Sequence, residues 1–414
     1  MLLAILLAAS AAGIGSPGAS DTTALIREVT AEVEQLRGLD RKVNLKVELL
    51  DGPLFTAQVR AKALADFTPA VVAEERARWL AFDLAPADAD PAKIVLEVLD
   101  EQVVGFYDQH EKKLFIRSGD SSAPPDLMRI VLAHEIEHAL QDQNFGIPDL
   151  AALPDDDVRL ARMALLEGDA MAVMTAYAAQ RAGKPVKDAI AGSAEMMQRA
   201  GTAGLAASAA KLKQAPAVVR EELLFPYAQG FALVAEAYKR GGFAMVDKLF
   251  ANPPRSTHQV LHPDAYFAGE EPLPVPSPGL PPGAKLLVRG RMGELGTRLA
   301  LEICMDPSVG RDFTPSWAGD AFTVYELHGH AELVWETAWS GDAAQNAANL
   351  FRLLAPCWSE QRGVSTEVHI AKKGALVAVA RGTADLDALL ALPMPKPPQR
   401  APTTPPAIKD TPHQ

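Results

Sequence analysis

The sequence predicts an α+β fold: a mostly helical domain that carries a short sheet or hairpin near its start, followed by a smaller α+β domain. Three observations lead there. Between residues 127 and 250 the chain reads as a series of long runs with apolar residues at helical spacing, separated by Gly and Pro. Upstream, residues 43–50 alternate and residues 103–116 are β-rich on both sides of a polar centre. Downstream of a Pro-rich stretch from Pro272 to Pro282, helix and strand patterns mix again.

The N-terminal run Met1-Leu2-Leu3-Ala4-Ile5-Leu6-Leu7-Ala8-Ala9-Ser10-Ala11-Ala12 is apolar but short for a membrane span. It resembles the apolar core of a secretory signal, with small residues suited to cleavage, although no Lys or Arg precedes it. Export to a periplasmic or extracellular location is the expectation. Residues 22–37 and 58–82 follow helical patterns, residues 43–50 a strand, and residues 103–116 a hairpin about the polar stretch 108–113. Pro124-Pro125-Asp126 opens a helix that runs uninterrupted from Leu127 to Phe145 and closes at Gly146 and Pro148. Asp155-Asp156-Asp157 caps a second, ending near Ala182 before Gly183 and Pro185. Ala-rich helices at 186–213 and 217–240 follow, then one at 243–250, and Ser256-Thr257-His258-Gln259 resembles a capping box. In the last third, strands are expected at 322–327, 331–337, 366–371 and 376–380, with a helix at 343–354. The domain reading is therefore a signal-like segment 1–20, a main domain 21–271, a linker 272–285, an accessory domain 286–392 and a Pro-rich, disordered tail 393–414. Residues 21–90 are either an accessory part of the main domain or a removable prosegment.

At 414 residues and 48% hydrophobic content the chain can bury a sizeable core. A net charge of −12, with no basic stretch, argues against a nucleic-acid partner. No transmembrane span is expected beyond the signal-like start. Cys304 and Cys357 are the only cysteines; they suit one disulfide in an oxidising compartment or two buried thiols, and have no metal-ligand spacing.

The chemistry is concentrated in His134-Glu135-Ile136-Glu137-His138, an H-E-x-x-H run inside the helix that starts at Leu127. Positions i and i+4 lie one turn apart on the same face, so two imidazoles can address one ion, with Glu135 beside it as a base. The plain alternative is a core helix whose two histidines bond to backbone. A catalytic zinc site needs a third protein ligand and leaves the fourth position to water. Glu167 is the best candidate, because it falls in the apolar stripe Leu160, Ala164, Met171, Met174 and Ala178, where a carboxylate is costly unless paired or metal-bound. Asp169 could accept the free N–H of a ligating imidazole. Glu137 is expected to face elsewhere on the helix and is assigned no role.

These residues resemble a zincin of the gluzincin type, in which a Glu from a following helix completes H-E-x-x-H. More narrowly, His134 through Gln143 with Glu167-Gly168-Asp169-Ala170, and the segments from Phe225 to Gly230 and Asn252 to Pro263, are similar to a poorly characterised group of exported bacterial and archaeal proteins. The likeness covers roughly residues 95–270. It departs from the thermolysin-like pattern in a longer segment between His138 and Glu167, and in Glu-Gly-Asp where that pattern has Glu-x-x-x-Asp. The resemblance implies a zinc metallopeptidase (Zn2+ as cofactor, a peptide or protein as substrate) that hydrolyses peptide bonds by attack of a zinc-bound water, with Glu135 as general base. It also implies that a strand of the 103–116 hairpin pairs with an extended substrate. For the oxyanion, Tyr227 and His262 are the preferred donors, with His258 and Arg255 behind them; each also has an ordinary structural explanation. A carboxylate-bridged di-iron bundle would need a second Glu-x-x-His, and the chain has none. A catalytically silent zincin-like exported binding or surface protein is the alternative from another class.

Overall fold

Several helices start where a short polar side chain caps a proline or an acidic first turn. Asp51, Thr68, Asp90 and Asp155 each accept the backbone N–H three residues ahead. In the computed structural model, residues 3–6, 19–118, 125–206, 209–360 and 368–382 are described. They form an α+β fold. In order the elements are β1 (Leu3–Leu6), α1 (Ala19–Arg37), β2 (Lys46–Leu50), α2 (Gly52–Asp66), α3 (Pro69–Phe82), α4 (Pro91–Gln102), β3 (Val103–Asp108), β4 (Lys113–Arg117), α5 (Pro125–Asn144) and α6 (Asp156–Arg181). Then come α7 (Val186–Ala206), α8 (Ala210–Gln214), α9 (Ala217–Gly241), α10 (Phe243–Ala251), α11 (Thr257–Leu261), α12 (Pro263–Phe267), β5 (Lys285–Gly290), α13 (Gly293–Glu302) and α14 (Pro307–Phe313). The chain continues through β6 (Trp317–Leu327), β7 (His330–Trp339), α15 (Ala343–Glu360), β8 (Val368–Lys373) and β9 (Leu376–Arg381).

Several of these depart from the sequence expectation. The single helix expected over 58–82 is two, because the Thr68 hydroxyl caps a new start at Pro69. Helix α4 was not anticipated, and neither was β5. The tail 393–414 and most of the signal-like segment lie outside the described residues; Leu3–Leu6, within that segment, form a strand.

The first sheet has the order β1-β3-β4-β2. β3 and β4 make the antiparallel hairpin, with Gly105 opposite Ile116 and Tyr107 opposite Leu114. β2 runs parallel to β4, and β1 runs antiparallel to β3 on its other side. The second sheet, β5-β6-β7-β9-β8, is antiparallel throughout. One apolar core joins the helical part to this second sheet, from Trp79 and Phe82 through Leu160, Phe231 and Leu295 to Trp335 and Phe351. Phe82 meets Phe322 and Trp335 edge-on at 5.3 and 5.2 Å. Arg381 donates to the Ala81 carbonyl at 2.9 Å and pairs with Asp83. The Pro-rich segment lies along β6: Leu273 N–H donates to the Ala318 carbonyl at 2.7 Å, and the Thr323 hydroxyl to the Pro278 carbonyl at 2.8 Å. Among the described residues no helix is long and apolar enough to cross a membrane.

Cys304 and Cys357 form a disulfide that joins the end of α13 to α15 across 53 residues of chain. Closing a loop of that length restricts the unfolded ensemble, so reduction is expected to lower stability by about 2–4 kcal/mol. Urea melts with and without reductant measure this; superimposable curves would mean that the bond stabilises nothing.

Candidate metal centre

Helix α5 is buried on every side from Val131 to Gln141, with β3, α1 and α6 packed around it. Polar residues in that stretch therefore have no route to water and must find partners inside the protein. His134 and His138 turn towards α6. Their Nε2 atoms are 3.1 Å apart, and Oε2 of Glu167 lies 3.2 Å from the first and 3.4 Å from the second. Ligand atoms about 2.0–2.1 Å from a tetrahedral ion stand about 3.3 Å from one another, so this triangle already has the required size. Two imidazole nitrogens and a carboxylate oxygen are the donor set of a catalytic zinc site, with one position left over.

Electrostatics favour a positive charge at the same point. Burial drives His134 down to about 4, against the pull of Glu167. Burial would depress His138 as well, but the Glu167 carboxylate, with Glu135 behind it, lifts that ring to about 9. Burial alone would raise Glu167; the two rings hold it instead at about 2.

The polar residues that follow His138 build the support. Nε2 of Gln141 donates to the Leu166 carbonyl at 2.9 Å and to Asp169 at 3.1 Å. Its carbonyl oxygen must then accept from Nδ1 of His138, 3.0 Å away. That hydrogen bond keeps a proton on Nδ1, so Nε2 is the atom that faces the triangle and its proton is the one an arriving ion displaces. Nδ1 of His134 is buried with no hydrogen-bond partner among the described residues, so only one ring is set in this way. Asp142 accepts the Tyr107 hydroxyl at 2.6 Å and ties α5 to β3, while Gln143 accepts the backbone N–H groups of Lys42 and Val43 at 2.7 and 3.0 Å.

Asp169 thus acts at one remove: it holds Gln141, and Gln141 holds His138. Its other partner is Arg37 of α1, wholly buried, whose Nε lies 3.2 Å from Asp169 and 3.3 Å from Glu137 and whose Nη1 lies 2.7 Å from Asp247. Glu137, expected to face elsewhere, is instead enclosed in this network. Burial, together with the charge of Asp169, holds its carboxyl well above the usual range. Arg37 belongs to the 21–90 segment, which therefore supplies part of the site's backing. Gln141→Leu removes the bond that orients His138 and is expected to weaken zinc binding about 10–100-fold. Competition against a chromophoric chelator reads this, and an unchanged affinity would remove Gln141 from the account.

Glu135 is fully buried beside the rings, on the β3 side of α5. A Cβ added at Gly105 would come within 3.4 Å of its Cγ and 3.1 Å of Ile116, so β3 passes directly over it. On the opposite side, α9 crosses α6 with backbone touching backbone. A Cβ on Gly168 would lie 2.3 Å from the Gly230 carbonyl, and one on Gly230 would lie 2.0 Å from the carbonyl oxygen of Ala164. Tyr227 is buried on α9, one turn before that crossing. His262 stands elsewhere, 3.0 Å from both oxygens of Glu294, with His258 on the same carboxylate at 2.6 Å. Arg255 is largely exposed and faces Glu271 at 3.4 Å. The structure therefore brings together His134, His138, Glu167 and Glu135, backs them with Asp169, sets Tyr227 on the neighbouring helix, and groups His258 and His262 in a cluster of their own. Gln141, Arg37 and Glu137 are the residues that sequence reasoning missed. Gln141, at i+3 from His138 on one helix face, was the one with a readable signal.

No protein-family model, curated protein or solved structure matches this chain.

Proposed function

We propose that the chain is a zinc-dependent metallopeptidase with a zincin-like metal-binding domain of the gluzincin type. The observation that carries the reading is the convergence of His134, His138 and Glu167 at 3.1–3.4 Å with the Glu135 carboxylate buried beside them. A zinc ion bound there would bring the pKa of a water towards neutrality and polarise a carbonyl. With zinc bound, Glu135 would be the base that takes up a proton beside it and returns it to a leaving nitrogen. Its dry surroundings strengthen its electrostatic interaction with the developing charge. Gln141 and Asp169 keep His138 in its ligating tautomer, and Tyr227 is the donor we assign to the oxyanion. The Cys304–Cys357 bridge, together with the signal-like start, supports an exported protein.

Casein, an unstructured protein, is the substrate for the test. Hydrolysis is expected with zinc-loaded protein, lost on chelation and restored by added zinc; zinc-loaded protein that cleaves neither casein nor a broad peptide library, with or without residues 1–18, would end the reading.

One observation favours the silent alternative. His134, Glu135 and His138 have no exposed surface, Glu167 has 1%, and β1 lies against both β3 and α5, so the β3 edge is already paired. An extended substrate can pair with β3 only where Leu3–Leu6 now lie. A chain lacking residues 1–18 is therefore expected to cleave casein faster than the full chain. Equal rates would show that β1 guards nothing.

A further inference from the structure

We propose that His258, His262 and Glu294 form a second divalent-cation site, one that takes Zn2+ and fastens α11, before the Pro-rich segment, to α13, after it. His258 and His262 repeat the i, i+4 spacing of the first pair, and their ring centroids are 4.7 Å apart, as are those of His134 and His138. Both address one carboxylate: Nδ1 of His258 lies 2.6 Å from Oε2 of Glu294, and Nε2 of His262 lies 3.0 Å from each of its oxygens. The ligand atoms all fall within 4.8 Å of one another. An ion at about 2.0–2.1 Å from each requires the carboxylate to draw back by less than about 1 Å. The Thr314 hydroxyl also donates to that carboxylate, 3.4 Å from Oε1 of Glu294.

The frame that holds these ligands is built independently of them. Asp157 accepts both the N–H and the hydroxyl of Thr257, at 2.7 and 2.6 Å, and the Thr257 hydroxyl accepts Leu295 N–H at 3.2 Å. Asp320 accepts Met292 and Gly293 N–H at 2.8 and 2.9 Å. Gly293, at φ +68°, admits no side chain, because a Cβ would lie 1.9 Å from Asp157. Glu294 is 4% exposed, whereas His258 and His262 are 15% and 33% exposed, so an ion can enter from solvent and keep a water. The site is separate from the first: Asp157 and Glu167 are ten residues apart on α6, about 15 Å along its axis. Its sequence also differs in the residue that follows the first histidine. Where the first site has Glu135, here the residue after the first histidine is Gln259, whose amide is used on both sides, accepting Arg255 N–H at 2.7 Å and donating to the Glu270 carbonyl at 2.6 Å. A His2Glu set whose first histidine is followed by an engaged glutamine suits a structural or regulatory zinc ion rather than a second reaction centre.

The test counts metal on the full-length chain, stripped by chelator, reloaded with Zn2+ and desalted. His262→Ala is expected to hold one zinc ion fewer per chain than the wild type and to lose the part of the zinc-induced rise in melting temperature that this ion contributes. His330→Ala, at an exposed histidine, should change neither. Because the readout is a difference, it stands whatever the His134 site binds. In the unsubstituted chain, zinc should protect His258 and His262 from diethyl pyrocarbonate, as read by peptide mass spectrometry. Equal zinc content in wild type and His262→Ala, or equal modification with and without zinc, would overturn the proposal.

Discussion

On the proposed function, Glu135→Gln is expected to bind zinc as the unsubstituted chain does and to lose casein hydrolysis by about 10²–10⁴-fold, the range that a positioned acid–base group contributes. The glutamine fills the same space under Gly105, so the packing of β3 on α5 survives. The three ligand atoms belong to other residues and stay 3.1–3.4 Å apart. What disappears is the group that can accept a proton. Metal content and turnover are measured on the same preparation, which separates loss of the base from loss of the ion. A glutamine variant that binds zinc and cleaves at the wild-type rate would remove Glu135 from the chemistry.

Gly230→Ala is expected to be the most destabilising of the small substitutions near the site, at about 3 kcal/mol or more. Its methyl group would fall 2.0 Å from the Ala164 carbonyl oxygen and 2.8 Å from the Ala164 Cα, and both are backbone atoms that no rotamer change can move. The helices must separate, and α6 carries Glu167 only three residues from the contact at Ala164. Zinc affinity should therefore fall together with stability. Gly168→Ala meets Gly230 from the other side, with a Cβ 2.3 Å from its carbonyl, and is expected to behave alike. Urea unfolding and zinc titration read the two effects. A change below about 1 kcal/mol at Gly230 would mean that α6 and α9 do not touch at this point.

Local patterns carried the centre of the site. Helical spacing in α5 and α6, with the Asp155 cap of α6, was enough to bring His134, His138 and Glu167 onto facing sides; α5 itself starts at Pro125, so Asp126 lies in its first turn and is not its cap. The network behind them was not legible, because apolar periodicity assigns a helix one inward face, and α5 is enclosed by β3, α1 and α6. Glu137 was therefore expected to face elsewhere on the helix and is buried against Arg37, a residue 100 positions earlier. Glu294 joins His258 across 36 residues of sequence, so no spacing rule could link them. The strand at Leu3–Leu6 exists through pairing with β3, and an isolated apolar run does not announce such a partner. The break at Thr68-Pro69, by contrast, had a signal in the sequence, since a hydroxyl before a proline starts a helix.

Anomalous diffraction at the zinc edge from zinc-loaded crystals tests the central claim most directly. The account predicts a peak about 2.0–2.2 Å from Nε2 of His134, Nε2 of His138 and a carboxylate oxygen of Glu167. Zinc-loaded crystals with no peak between α5 and α6 would contradict it, whatever metal they hold elsewhere.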